Sequence, residues 1–160
     1  MKLIGYLTAY GIYNQLGLTT QVSNTIQIGR NETRPSLQRG MYKIAFIKQK
    51  NTITKENIPL LQILDAIKYI RIIPDTTISA SCTRLMAIIK TLTPEKQTQL
   101  VKLAIKYTPT TRALLGALLE QSGVNTITNS LRKSLNPITV YKLSGIDGFL
   151  PNATNWNIKS

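Results

Sequence analysis

The 160-residue chain has no histidine, one cysteine, one tryptophan and only seven acidic residues. Each scarcity removes a class of chemistry. Without histidine a Ser-His or Cys-His nucleophile pair cannot be built, and the commonest zinc-site ligand is missing. A single cysteine excludes an intramolecular disulfide and a thiolate metal cage. Ile78, Cys82, Leu85 and Ile89 recur at helical spacing, which places the Cys82 thiol on a buried apolar stripe as an inert group. A metal-dependent nuclease needs several carboxylates with a lysine near a strand end, and the predicted strands carry lysines but no acids. Asp65 and Asp75 are the acids placed to meet across helix ends. The pattern assigns Asp65 to a solvated helix flank and Asp75 to a position ahead of a helix N-terminus, where its charge is favourable. No glycine-rich phosphate-cradling loop follows any predicted strand, and SGIDG at residues 144–148 reads as a turn. The chain therefore reads as non-enzymatic, with no catalytic residue, no metal ligand and no cofactor.

Long apolar runs are also missing. No stretch approaches the roughly 18 to 20 residues of a membrane span, and the N-terminal MKLIGYLTAYGIYNQ lacks a continuous apolar core of the secretory kind. The expectation is a cytoplasmic protein with no membrane partner, and the glycosylation triplets at Asn31 and Asn152 are then chance matches.

What the chain has in excess is positive charge. Twenty Lys and Arg leave a net charge of +13, which favours solubility and also attracts an acidic partner such as nucleic acid. A hydrophobic share of 42% against 17% charged residues is that of a packed globule rather than a disordered chain. No repeat, linker or low-complexity tract divides the 160 residues, so the expectation is a single domain, mainly β over residues 1–52 and mainly helical over 53–160.

The periodicities set out an α+β protein, with a small antiparallel sheet near the N-terminus packed against a C-terminal helical bundle. Thr8 is placed to cap a first helix carrying Ile12, Tyr13 and Leu16, ended by a left-handed Gly17 and followed by an extended segment over residues 18–22. Ile26 and Ile28 alternate with polar neighbours, as do Tyr42, Ile44 and Phe46, which predicts two antiparallel strands sharing one buried face. Residues 30–40 between them, rich in turn formers, read as a long exposed hairpin loop. From about residue 55 the period is helical. A stripe over Leu60, Leu61, Leu64, Ile67 and Ile70 stops at Pro74, and a second helix starts at Thr76 or Thr77. Two more carry Thr-Pro starts at Thr93-Pro94 and Thr108-Pro109. Residues 113–119 are apolar all round, which predicts a central buried helix in which Gly116 and Ala117 allow close packing. A short helix over residues 127–135, an edge strand over 139–143 and a tail anchored by Trp156 complete the reading.

Two positions stand out as contacts. Arg30, Arg34 and Arg39, with Lys43 and Lys48 in the following strand, form the strongest basic cluster, opposed by Glu32 alone. It is either a solvated loop or a phosphate contact. With Tyr42 and Phe46 assigned to the core, base stacking by this region is not indicated. Arg112 lies in the first turn of an apolar helix, where the macrodipole disfavours a cation. Carbonyl contacts or an ion pair from a neighbouring helix end would compensate it, and a partner contact is the alternative.

Three runs carry a family likeness: YNQLGLTTQV at residues 13–22, YTPTTRALLGALLE at 107–120 and SLNPITVYKL at 134–143, with a closing LPNATNWNI at 150–158. Together they resemble the effector part of the AbiEi-type antitoxins of type IV toxin-antitoxin systems, from about Gly5 to Ile158. The matching positions are Gln15, Gly17, Thr19, Thr20 and Gln21 in the first run, Gly116 in the second, and Asn136 with Pro137 in the third. The resemblance implies an antitoxin-like regulator that counteracts a nucleotidyltransferase-type toxin, functionally and without a required physical complex, with RNA or DNA as a further partner. Proteins of this kind carry an upstream winged helix-turn-helix domain. The chain begins just before the matching region, so toxin neutralisation is expected here ahead of operator binding. The alternative reading is a general basic nucleic-acid-binding module without a toxin partner.

Overall fold

A computed structural model describes residues 1–146 and 149–160. It contains two compact units, Met1–Asp75 and Thr76–Ser160. The α+β class holds, with a four-stranded sheet in the N-terminal part and the helices following it.

The first unit is built on strands β1 (Gly5–Thr8), β2 (Thr25–Arg30), β3 (Leu37–Arg39) and β4 (Tyr42–Lys48), in the order β1-β2-β4-β3. The two strands expected from the alternation are present, but they run parallel, with Ile26 opposite Ile44 and Ile28 opposite Phe46. Residues 30–40 are accordingly not a simple hairpin loop. The chain leaves β2, skips one strand position and descends as β3. It then turns back at Gly40 and Met41 to insert β4 between the two. Gly40 makes this reversal with φ of +58°, the left-handed geometry that matches the twist of a two-residue hairpin.

Helix α1 (Ile58–Lys68) follows the sheet and belongs to the same unit. Its buried row includes Leu60, Leu61, Leu64 and Ile67, as the helical stripe predicts. Asp65 does not lie on a solvated flank: it is 1% exposed. Its Oδ2 accepts hydrogen bonds from the hydroxyls of Tyr6 and Thr8 at 2.5 and 2.6 Å. Thr8 thus holds α1 from the end of β1 instead of capping a helix.

After β1 come a 3₁₀ turn over Ala9–Gly11 and one helical turn, not a regular helix, and residues 18–22 form no strand. The predicted stop is nonetheless real. Gly17 has φ of +74°, the Leu18 amide donates to the Tyr13 carbonyl and the Gly17 amide to that of Asn14. That is the Schellman closure, completed by burial of Tyr13 and Leu18. Burial, and then the nearby Asp65 charge, push the Tyr13 phenol well above its ordinary pKa.

The second unit contains α2 (Ile78–Thr91), α3 (Pro94–Ala104), α4 (Pro109–Gln121) and α5 (Asn129–Lys133), with the two-residue strands β5 (Tyr141–Lys142) and β6 (Ile158–Lys159) paired in parallel. Thr77 and Thr93 cap their helices by accepting from the amides of Ala80 and Lys96. Thr108 has the extended backbone of a cap but turns its hydroxyl to Thr111 at 2.8 Å. Helix α4 is buried from Ala113 to Leu119. A Cβ at Gly116 would overlap the Trp156 ring, so the glycine is a packing device that admits the indole. Trp156 is 2% exposed and donates from Nε1 to Glu120 at 2.6 Å. Arg132 stacks over its ring at 4.1 Å and pairs with Glu120. The turn expected at residues 144–148 lies partly outside the described residues.

Candidate nucleic-acid interface

Parallel pairing carries the C-terminal ends of β2 and β4 to the same edge of the sheet. Arg30 and Lys48 are register partners there. Asn31 ties the two exits together, donating from Nδ2 to the carbonyls of Gln49 and Asn51 at 2.7 and 2.8 Å. The Gln49 amide donates to the Arg30 carbonyl. Behind this clamp the buried Gln49 side chain receives the Asn51 amide and donates to the Tyr6 hydroxyl at 2.9 Å. A continuous polar chain therefore runs from the edge through Tyr6 to Asp65, and satisfied buried networks of this kind hold one geometry.

The N-terminus adds a further cation. Lys2 bridges Thr54, and the Leu3 amide donates to the Ile53 carbonyl at 2.7 Å. Two adjoining cavities of about 340 Å³ each open at this edge and share Lys2 and Asn31. One is lined also by Arg30 and Glu32, the other by Lys48, Lys50 and Thr52. Lys2, Lys48 and Lys50 are exposed, while Arg30 is half-buried and lies 5.9 Å from the Phe46 ring centroid. Four cations against one carboxylate around two open hollows suit phosphate groups, which bind by charge and by hydrogen bonds from such side chains.

The predicted basic cluster is thus divided. Arg30, Arg39 and Lys48 share one pleat of the sheet, Lys43 points to the other, and Arg34 lies in the exposed connection ahead of β3. Lys2 and Lys50 were not singled out from sequence. Lys50 lies two residues beyond Lys48 and was legible as a continuation of the charge run. Lys2 was not, since its place depends on pairing with residues more than 50 positions away.

Arg112 is satisfied within the second unit. Its Nε donates to the Tyr107 carbonyl at 3.2 Å and NH1 to that of Ser134 at 2.8 Å. Ser134 closes the C-terminus of α5, where the dipole favours a cation. These are carbonyl contacts of the kind expected to compensate the cation. Asn136 and Pro137 are exposed and line a separate cavity of about 320 Å³ beside Arg132 and Trp156. Gln15, Thr20 and Gln21 are exposed and Thr19 half-buried. Gln21 donates to Asp75 at 2.8 Å. Among the described residues no three His, Cys, Asp or Glu come together, and no helix is long and apolar enough to cross a membrane.

No protein-family model matches the chain, and neither the curated proteins nor the solved structures yield a match.

Proposed function

We propose that this protein is a non-catalytic nucleic-acid-binding protein that takes phosphate groups at the basic edge of its four-stranded sheet. The observation that carries this reading is the convergence of Lys2, Arg30, Lys48 and Lys50 on two adjoining hollows. A solvated charge run needs neither cavities nor a buried network bracing the strands that supply its charges. The motif likeness to AbiEi-type antitoxins supplies the biological setting, an antitoxin-like regulator opposing a nucleotidyltransferase-type toxin. Such a toxin acts on RNA, and a basic domain that occupies the same RNA opposes it without touching the toxin.

Binding of fluorescently labelled RNA and DNA, followed by anisotropy at several salt concentrations, tests the activity. The expected log-log slope is roughly −3 for a single strand when four phosphates are neutralised. Exchanging the three exposed lysines together (K2E/K48E/K50E) should lower affinity at least about tenfold while circular dichroism stays unchanged. An affinity indifferent to salt, or to the triple exchange, rejects the reading. Growth rescue of cells expressing a nucleotidyltransferase-type toxin, with and without the chain, tests the setting separately.

A further inference from the structure

The sheet has two unlike faces. Tyr6 and Thr8 of β1 and Gly29 of β2 are buried on the face that meets Asp65 of α1. On the other face none of the side chains is buried. Leu37 is 39% and Tyr42 is 44% exposed, whereas Ile26, Ile28, Ile44 and Phe46 are half-buried. This overturns the expectation that Tyr42 lies in the core. The expectation of a buried face fails for Ile26, Ile28, Ile44 and Phe46 as well: the alternation marks which side chains share a face, but the buried side of the sheet is the one that carries Tyr6, Thr8 and Gly29.

The same face carries Arg39 as the register partner of Tyr42. At its far end it carries Arg30 opposite Lys48, where the phosphate hollows open. An aromatic ring with a guanidinium beside it, apolar rows between, and cations at the rim are the parts of a surface for unpaired bases. A duplex hides its bases and presents phosphates, so it leaves the exposed Leu37 and Tyr42 without a role. A second copy of the chain docked face to face would set Arg30, Arg39 and Lys48 against their own kind.

We propose that the open sheet face binds a nucleic-acid single strand, with a base stacked on Tyr42, Arg39 beside it, and the backbone running toward Arg30 and Lys48. From Tyr42 to Lys48 the strand rises about 20 Å, long enough for several nucleotides. The inference rests on the phosphate-binding reading above and adds to it the strandedness of the ligand and the residue that meets a base.

The test is anisotropy with the full chain and an oligouridine RNA of about 12 nucleotides, single-stranded or paired with its complement. The single strand is expected to bind at least about tenfold more tightly. Tyr42→Ala should weaken single-strand binding by about tenfold or more and leave duplex binding unchanged. Tyr42→Phe should retain most of it, and Arg39→Gln, at an exposed position that does not threaten folding, should weaken it as well. Equal affinity for both forms, with Tyr42→Ala and Arg39→Gln silent while K2E/K48E/K50E still lowers affinity about tenfold or more, overturns the single-strand inference and leaves the phosphate-binding reading standing. Failure to bind either form removes both. A concentration-dependent dimer lost in Tyr42→Ala also overturns the inference, by assigning the face to a second copy.

Discussion

At the scale of single residues, three positions are constrained tightly enough to predict. Gly116 admits the Trp156 ring where a Cβ would overlap it. A buried indole hydrogen-bonded to Glu120 cannot move aside cheaply, so Gly116→Ala should destabilise the protein by about 1 to 3 kcal/mol, read as a lower urea midpoint. Asp65 accepts from two buried hydroxyls, and Asp65→Ala takes that acceptor from both. The expected loss is about 3 kcal/mol, and it should also weaken nucleic-acid binding, because the chain from Tyr6 through Gln49 braces the basic edge. Cys82 is fully buried, and burial pushes its thiol from 9.0 up to about 12. The unfolded chain therefore releases this proton at lower pH than the folded one. The stabilisation is whole below about pH 9 and is withdrawn as pH rises toward 12. The upward shift of Tyr13 acts in the same direction. Iodoacetamide at pH 8 should leave Cys82 unmodified in the native protein and modify it fully in denaturant. Native labelling at the rate of a free thiol would contradict the buried assignment.

At the scale of elements, the helices of the second unit start where local chemistry tells them to. Thr77 and Thr93 close their helix N-termini through the side-chain oxygen, so Thr77→Ala and Thr93→Ala should each cost about 1 kcal/mol. Thermal or urea unfolding reads that loss. The sheet follows another rule. Gly29 lies against the Tyr6 ring with no room for a Cβ, and β2 is the strand on which both β1 and β4 pair. Its glycine lets the ring lie across the sheet and reach Asp65. The element that organises the candidate interface is therefore a central strand rather than the connection that follows it, which holds Arg34 alone of the clustered arginines.

At the scale of the whole molecule, a net charge of +13 attracts nucleic acid from any direction, so a local site must be distinguished from general charge. Lys96, Lys102 and Lys106 are exposed and belong to the second unit. Exchanging these three for glutamate changes the net charge by as much as K2E/K48E/K50E does. Binding at the sheet edge predicts that this control keeps most of the affinity, with a salt slope close to that of the unaltered protein. Equal losses in the two triple variants would mean that net charge alone holds the ligand.

By itself the sequence determined what is local. Helical spacing, the Thr-Pro starts, the glycine stop at Gly17 and the all-round apolar run of α4 act within a few residues, so their outcome was legible, and the α+β class with them. The position of Trp156 in a core was legible for a related reason, since an indole of that size is stable only where its ring is covered and its N–H is paired. Tertiary structure decided the rest. Alternation at Ile26 and Ile28 and at Tyr42, Ile44 and Phe46 says which side chains share a face, and it reads the same for parallel and antiparallel partners. Only the insertion of β4 between β2 and β3 made the pairing parallel and brought Arg30 beside Lys48. Asp65 looked solvated because its partners Tyr6 and Thr8 lie 59 and 57 residues away. Lys2 joined the site through a bridge to Thr54. Charges and patterns are written along the chain, whereas the direction in which strands meet, and the side chains that meet with them, depend on contacts between residues far apart in it.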